Sequence, residues 1–390
     1  TDPAAWAATI ADPLGPDGTA EAAAYRGLIA LGVRELDVSE VRSALEMTHP
    51  AAAAPPTVTT ASPALRAQTW TASMRLGYAI PGFDRGVRWV SRTVTLRQVA
   101  GQWLIQRWLG PDDRWEAFDL ESLQVVRTPR SLMAGSVGVD NLRAGLAEVE
   151  DGQDRVAVEL VQAVPAVIVV PETSNQAAHL LGESGTTTGP AATDPAIRRP
   201  PLTGQVAATT HGARDPNAPA MADRVVLDPA GMARLTPAGR RVVLTHELTH
   251  VSVRASTLHD LPLWLSEGFA EWVGFRDAGL DTRVVAARLL AQVRASGPPP
   301  TLPTPTDFAG TTGDPAAAYQ GAWLAASRIA TVAGRSGLVG LVRRLGAVAG
   351  TSTGAPTPVG LGDGLASVVG QSEPEFVRGW QSELVALART

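Results

Sequence analysis

The chain is 390 residues long, 45% hydrophobic and 18% charged, with a formal net charge of -5; this length exceeds one ordinary domain and implies two or three. All 33 basic residues are arginine, and no basic stripe stands out against the acidic background, which argues against a nucleic-acid partner. The absence of cysteine excludes disulfides, thiolate metal sites, iron–sulfur clusters and a cysteine nucleophile.

In chain order, residues 19–47 read as a helix with apolar positions at Leu28, Ile29, Val33, Leu36, Val41 and Leu45, broken by Ala51–Pro56. From about 65 to 135 the pattern turns to β. Trp70–Ile80 alternates as a strand, and Arg88–Val99 and Trp103–Trp108 flank Ala100-Gly101 as a hairpin. Five of the ten tryptophans fall in this stretch, which suits a curved sheet packed on the preceding helix. Leu142–Val164 then reads as a helix, Ala166–Pro171 as a buried strand and Ser174–Leu181 as a short helix, before a Gly/Thr/Pro-rich loop over Gly182–Pro201. Gly204–Thr210 and Arg224–Leu227 read as strands. Thr236–Arg254 follows as a helix with Pro237 at its start, and helical patterns continue at about 264–275, 282–295, 315–333, 336–347 and 374–388. The longest nearly apolar run, Leu160–Val170, is interrupted by Gln162 and Pro165 and is too short to span a bilayer. Because the chain opens at Thr1 and not at Met, a removed signal peptide or anchor, and an extracytoplasmic location, is the expectation.

The expected class is therefore α+β. Residues 1–137 would form a helix-plus-curved-antiparallel-sheet domain, and 138–390 a second domain with a mixed α/β lobe to about 255 and a helical lobe beyond. One helix followed by a hairpin-rich sheet resembles, in layout, the cone-shaped nuclear-transport-factor-like fold; such cones can host a ligand pocket, but no convergent polar set marks one here, so a structural or targeting role is the expectation for the front third.

The chemistry concentrates between Val242 and Phe275. His246, Glu247 and His250 form H-E-x-x-H inside an apolar-periodic helix. Residues i and i+4 share one helical face, so both imidazoles reach one cation. Glu247 is placed to act on water and not as a ligand. Two neutral nitrogen donors suit zinc, and a third ligand must come from elsewhere. Glu267, in Trp264-Leu-Ser-Glu-Gly-Phe-Ala-Glu-Trp272, lies far enough on for a loop and a returning helix to bring its carboxylate to the same ion, leaving a fourth position for water. Glu271, one turn after Glu267, could accept a hydrogen bond from a ligand imidazole and orient it.

His246-Glu-Leu-Thr-His250 followed by Trp264-Leu-Ser-Glu-Gly-Phe-Ala270 resembles the gluzincin class of zinc metallopeptidases, with Ser266 where Asn is usual. The resemblance implies that His246, His250 and Glu267 bind Zn2+ and that Glu247 is the general base. It also implies an oxyanion donor, for which Tyr319 is the candidate. The motif pair covers about 30 residues, and the strand–helix order extends the likeness weakly over 140–390. The metzincin pattern fails, because Val253 and Ser256 stand where it needs Gly and His. The Gly-x-Met-Glu-Asn motif of the aminopeptidase branch is also absent upstream of His246, so an endopeptidase acting on a peptide or protein substrate fits better. An edge strand, Arg224–Leu227 or Gly204–Thr210, would hold the substrate backbone. The competing reading is a non-catalytic zincin-like envelope module with structural zinc. His259-Asp260, in the loop between the two metal helices, and His211 are weaker candidates for the cleft. His49 and His179 have no partner spacing.

Overall fold

The computed structural model describes residues 2–43, 69–110, 113–160, 164–182, 208–212, 220–311, 313–347 and 359–389. It mixes α and β throughout. A short helix α1 (Pro3–Ala7) leads to α2 (Pro16–Leu31), which starts with proline in its first turn, where the missing N–H costs no hydrogen bond. Gly32 ends α2 at φ 77, a left-handed stop that glycine takes without a Cβ clash.

The helix expected over 19–47 therefore needs correction. Beyond Gly32 the chain forms strand β1 (Leu36–Ser43), antiparallel to β2 (Thr69–Tyr78) with Leu36 opposite Tyr78. The apolar spacing that mimics a helix belongs to a bulged strand, its register shifting between Ser39 and Arg42. Leu45, the Ala51–Pro56 break, His49, most of the Gly182–Pro201 loop and the start of the Gly204–Thr210 strand lie outside the described residues.

β2 pairs over its length with β3 (Arg88–Val99), which turns back into β4 (Gln102–Arg107). The turn, Ala100-Gly101, has φ of 49 and 83, both in the left-handed region that two-residue hairpins require. The antiparallel order is β1-β2-β3-β4, and its inner face (Ala72, Leu76, Tyr78, Val94) shares one core with Ala24, Leu28 and Leu31 of α2. Trp70 and Trp103 of this sheet are exposed, whereas Trp108, just past β4, is buried.

A second sheet runs β5 (Gln124–Arg127), β6 (Ser131–Gly135), β7 (Ala166–Val170), β9 (Arg224–Leu227) and β8 (Ala208–His211). β6, β7 and β9 are parallel, and the two edges, β5 and β8, are antiparallel. Parallel strands need cover on both faces, and the side chains alternate accordingly. Leu132, Ala134, Val167, Val169 and Val226 face the core under the first sheet, whereas Met133, Ile168, Val225 and Leu227 face a second, larger core. One sheet thus walls two cores. Residue 137, where the sequence suggests a division, falls in the loop after β6, with strands of this sheet on either side.

Buried charges tie the first sheet to the second. Asp84 binds Arg224 of β9 through both oxygens at 2.6 and 2.8 Å, with both side chains almost fully buried. Glu116 accepts from Arg88 at 2.9 and 3.1 Å and from the Tyr78 hydroxyl at 2.6 Å. Burial alone would raise the Glu116 carboxyl, but the Arg88 and Arg114 charges and these donors outweigh it and hold the group down at about 2. Removing one partner of such a pair strands the other charge. Asp84→Ala is therefore expected to cost about 3–5 kcal/mol, measured by chemical denaturation. A loss below about 1 kcal/mol would show that the pair does not join the sheets.

The remaining elements are helices around the second sheet: α3 (Val139–Leu160), α4 (Ser174–Leu181), α5 (Pro229–Ala233), α6 (Pro237–Arg254), α7 (Leu263–Phe275), α8 (Thr282–Val285), α9 (Ala287–Ser296), α10 (Pro305–Phe308), α11 (Pro315–Leu345), α12 (Leu361–Val369) and α13 (Glu373–Arg389). The segment expected as one helix at 282–295 is two, interrupted at Ala286, whose φ and ψ are -90 and 14. α11 bends at Gly334, φ 73 and ψ 169, matching the two adjoining helices read from the sequence. Among the described residues no helix is long and apolar enough to cross a membrane.

Candidate metal centre

α6 begins at Thr236, whose side chain accepts from the Gly239 amide, with Pro237 in the first turn. Its apolar stripe, with Leu244, Leu248 and Val251, is buried against α3 and the second sheet. That packing fixes the opposite face, which carries His246 and His250 one turn apart, with their Nε2 atoms 3.0 Å from each other. α7 crosses beside α6 and brings Glu267 to the same point. Its Oε2 is 3.3 Å from Nε2 of each histidine. α7 is held there from its other side by α11, whose backbone comes so near Gly268 that a Cβ would lie 2.3 Å from the Ala322 carbonyl oxygen. Glycine is required at that crossing.

His246, His250 and Glu267 are all buried, and their ligand atoms lie within 4.8 Å of one another, so the group could hold a metal ion. The Nε2 atoms point to the shared centre, and the Nδ1 atoms turn back into the protein. His250 Nδ1 lies 3.4 Å from the Ser266 hydroxyl. His246 Nδ1 lies 3.8 Å from Glu271 Oε1, an ion-pair separation and longer than the hydrogen bond expected for Glu271. Burial would lower the His246 imidazole. The Glu267 hydrogen bond and the Glu271 and Glu247 charges more than reverse this and pull it up to about 9. Burial, helped by Glu267 and Glu247 and opposed by His246, pushes Glu271 up to about 7. Three carboxylates converge on two imidazoles in a water-poor place, and the resulting field favours a positive charge there.

Glu247 stands beside this centre on α6 without joining the ligand cluster. Its Oε2 accepts from the Thr210 hydroxyl of β8 at 2.7 Å. Of the two strands considered as substrate supports, β9 is paired on both sides, by β7 and β8. Among the described residues β8 is the terminal strand of the sheet, and it lies against α6.

Tyr319, on α11, sits with its ring centroid 6.5 Å from that of His246 and its ring edge-on to Phe308. Beyond it lies a pocket of about 270 Å³ lined by Glu271, Phe275, Val285, Gln320 and Trp323. Another cavity, of about 470 Å³, lies away from the centre among Gln292, Pro298, Pro299, Asp307 and Trp380, and none of the clustered ligands lines it. His259 and Asp260 are not in the ligand cluster; the His259 amide donates to the Gly346 carbonyl. His211 closes β8 opposite Arg224, and His179 stacks on Trp115. The Thr210 and Ser266 contacts are the two parts of the centre that sequence reasoning missed. Ser266 adjoins a ligand, so its position was a usable signal, whereas nothing local marks Thr210.

No protein-family model, no curated protein and no solved structure matches the chain significantly.

Proposed function

We propose that this protein is a zinc-dependent endopeptidase with a zincin-like arrangement over residues 138–390, in which His246, His250 and Glu267 hold Zn2+ and Glu247 is the general base. The observation that carries the reading is the near-equilateral triangle of donor atoms, with edges of 3.0, 3.3 and 3.3 Å, beside a glutamate that is held out of the ligand set. Two donors each about 2.1 Å from a tetrahedral ion lie roughly 3.4 Å apart, so the triangle fits zinc with little adjustment. The donor chemistry, two imidazoles and one carboxylate, agrees. Catalytic zinc centres use three protein ligands and structural ones four. Three converge among the described residues, which favours catalysis over the structural-zinc reading.

An ion held by His246, His250 and Glu267 would supply Lewis-acid chemistry, polarising a scissile carbonyl and lowering the pKa of a water from 15.7 toward about 7. The chain's own residues do the rest. Glu247 takes the proton of the attacking water and returns it to the leaving amine. Ser266 and Glu271, behind the imidazoles, keep the Nε2 lone pairs aimed inward. Tyr319, beside His246, is the candidate donor to the developing oxyanion. Among the described residues β8 is paired on one edge alone, and to its other edge an extended peptide adds as a further strand. An internal stretch of substrate binds in this way as readily as a terminus, which fits the absence of an amino-terminus-recognising motif.

The test uses the full chain, stripped by chelator and reloaded with stoichiometric zinc, against a library of unstructured internally quenched peptides. Cleavage at internal bonds should appear only in the reloaded protein. Fully loaded protein that cuts none of the library contradicts the reading.

A further inference from the structure

Thr210 lies on β8, thirty-seven positions before Glu247, and has no part in the ligand cluster. Its hydroxyl oxygen is 2.7 Å from Glu247 Oε2 and 3.1 Å from the Glu247 carbonyl oxygen. A hydroxyl has one proton to give, and the charged carboxylate, which is also the nearer acceptor, takes the stronger bond. If Thr210 served only to seat the strand on the helix, the carbonyl contact would satisfy it.

The strand that presents this hydroxyl is fixed at several points. β8 pairs residue for residue with β9, from Ala208 opposite Leu227 to His211 opposite Arg224. Just past its end, the Gly212 carbonyl accepts from Arg254 Nη2 at 3.1 Å, while Arg254 Nε donates to Asp223 at 2.7 Å. Arg254 is the last residue of α6, the helix that carries Glu247. The strand is thus tied to the helix just past the Thr210–Glu247 contact and held along its length by β9. A glutamate has three side-chain torsions to fix before its carboxylate points at a substrate water, and each free torsion dilutes the productive geometry.

Building on the metallopeptidase reading above, we infer that Thr210 is the positioning residue of the general base: it anchors Glu247 Oε2 and leaves Oε1 as the oxygen that receives the water's proton. Thr210 touches neither the ligand cluster nor, through this bond, the reacting atoms. It acts through Glu247.

The experiment compares the zinc-loaded full chain with Thr210→Val, which keeps the side-chain shape and strand preference but not the donor, and Thr210→Ser, which keeps the donor. Zinc content should be equal in all three. Thr210→Val should lower kcat about ten- to a hundredfold at a KM within about twofold of the parent. Thr210→Ser should recover most of that loss. Crystal structures of the same zinc-loaded proteins supply a readout that does not depend on turnover. Glu247 should hold one carboxylate conformer in the parent and in Thr210→Ser, and a rotated or split one in Thr210→Val. An unchanged single conformer in Thr210→Val overturns the inference, and so does a kcat that stays within about twofold of the parent. A parent that cuts no peptide removes the peptidase reading, and the crystallographic comparison then decides alone whether Thr210 holds Glu247. Should Thr210→Val fail to fold, Thr210→Ala against Thr210→Ser makes the same comparison.

Discussion

Glu247→Gln is expected to lower kcat about a thousandfold, close to 4 kcal/mol of transition-state stabilisation, while zinc content, melting temperature and KM stay near parental. The substitution changes one atom type and little shape. An amide still offers a carbonyl oxygen to the Thr210 hydroxyl, which donates at 2.7 Å to the native carboxylate, so the side chain keeps its place. It cannot accept a proton at neutral pH, and proton transfer is the only role assigned to Glu247. None of the three clustered ligands is altered, so metal content should not fall. In the proposed mechanism ground-state peptide binding along β8 does not involve the base, hence the prediction that KM is spared. Steady-state kinetics on the best substrate, with zinc measured on the same samples, decides it. A variant that cuts as fast as the parent removes Glu247 as base; one that loses zinc makes it a ligand.

The local parts of this centre are readable from the chain alone. An i, i+4 pair of histidines on a capped helix puts two imidazoles on one face whatever the rest of the fold does, and Nε2 atoms 3.0 Å apart are the result. Glu267 is legible at one remove, because a second helix with a matching motif follows closely. What stayed hidden depends on contacts between distant segments. Thr210 reaches Glu247 only because β8 pairs with β9 and lies against α6. Asp84 and Arg224, 140 residues apart, find each other only once the two sheets are stacked. β1 is illegible for a related reason: Leu36 and Val41 satisfy a helical spacing on paper, and the partner strand that decides otherwise, β2, begins at Thr69. β5 and β6 pair toward β7, whose sequence lies beyond a long helix. Periodicity constrains single elements, whereas strand partnership is a property of the assembled chain.

Metal removal should destabilise the protein by an amount that grows with pH. With zinc at about a hundred times its dissociation constant, binding to the folded state alone adds roughly 2.7 kcal/mol, several degrees in melting temperature for a chain of this size. Without the ion, α6 and α7 meet across His246, His250, Glu267, Glu247 and Glu271, a buried cluster with more carboxylates than imidazoles. The metal-free protein offsets this by keeping protons. His246, whose ordinary value is 6.5, is pulled up to about 9. Its stabilising charge is therefore fully present below about 6.5 and is lost as pH rises through 9. Glu271, pushed from 4.5 up to about 7, acts in the same direction: the folded state holds its proton longer than the unfolded chain does, so stability falls as pH rises between those values. The loaded protein behaves oppositely, because deprotonated imidazoles bind zinc more tightly. The gap in melting temperature between loaded and chelated protein should thus be smallest near pH 6 and widen toward pH 9. Calorimetric scans with zinc and with chelator across that range measure it directly. Coincident curves mean that no metal is bound at His246, His250 and Glu267, and a gap that narrows with pH means that the carboxylate cluster does not govern the metal-free state.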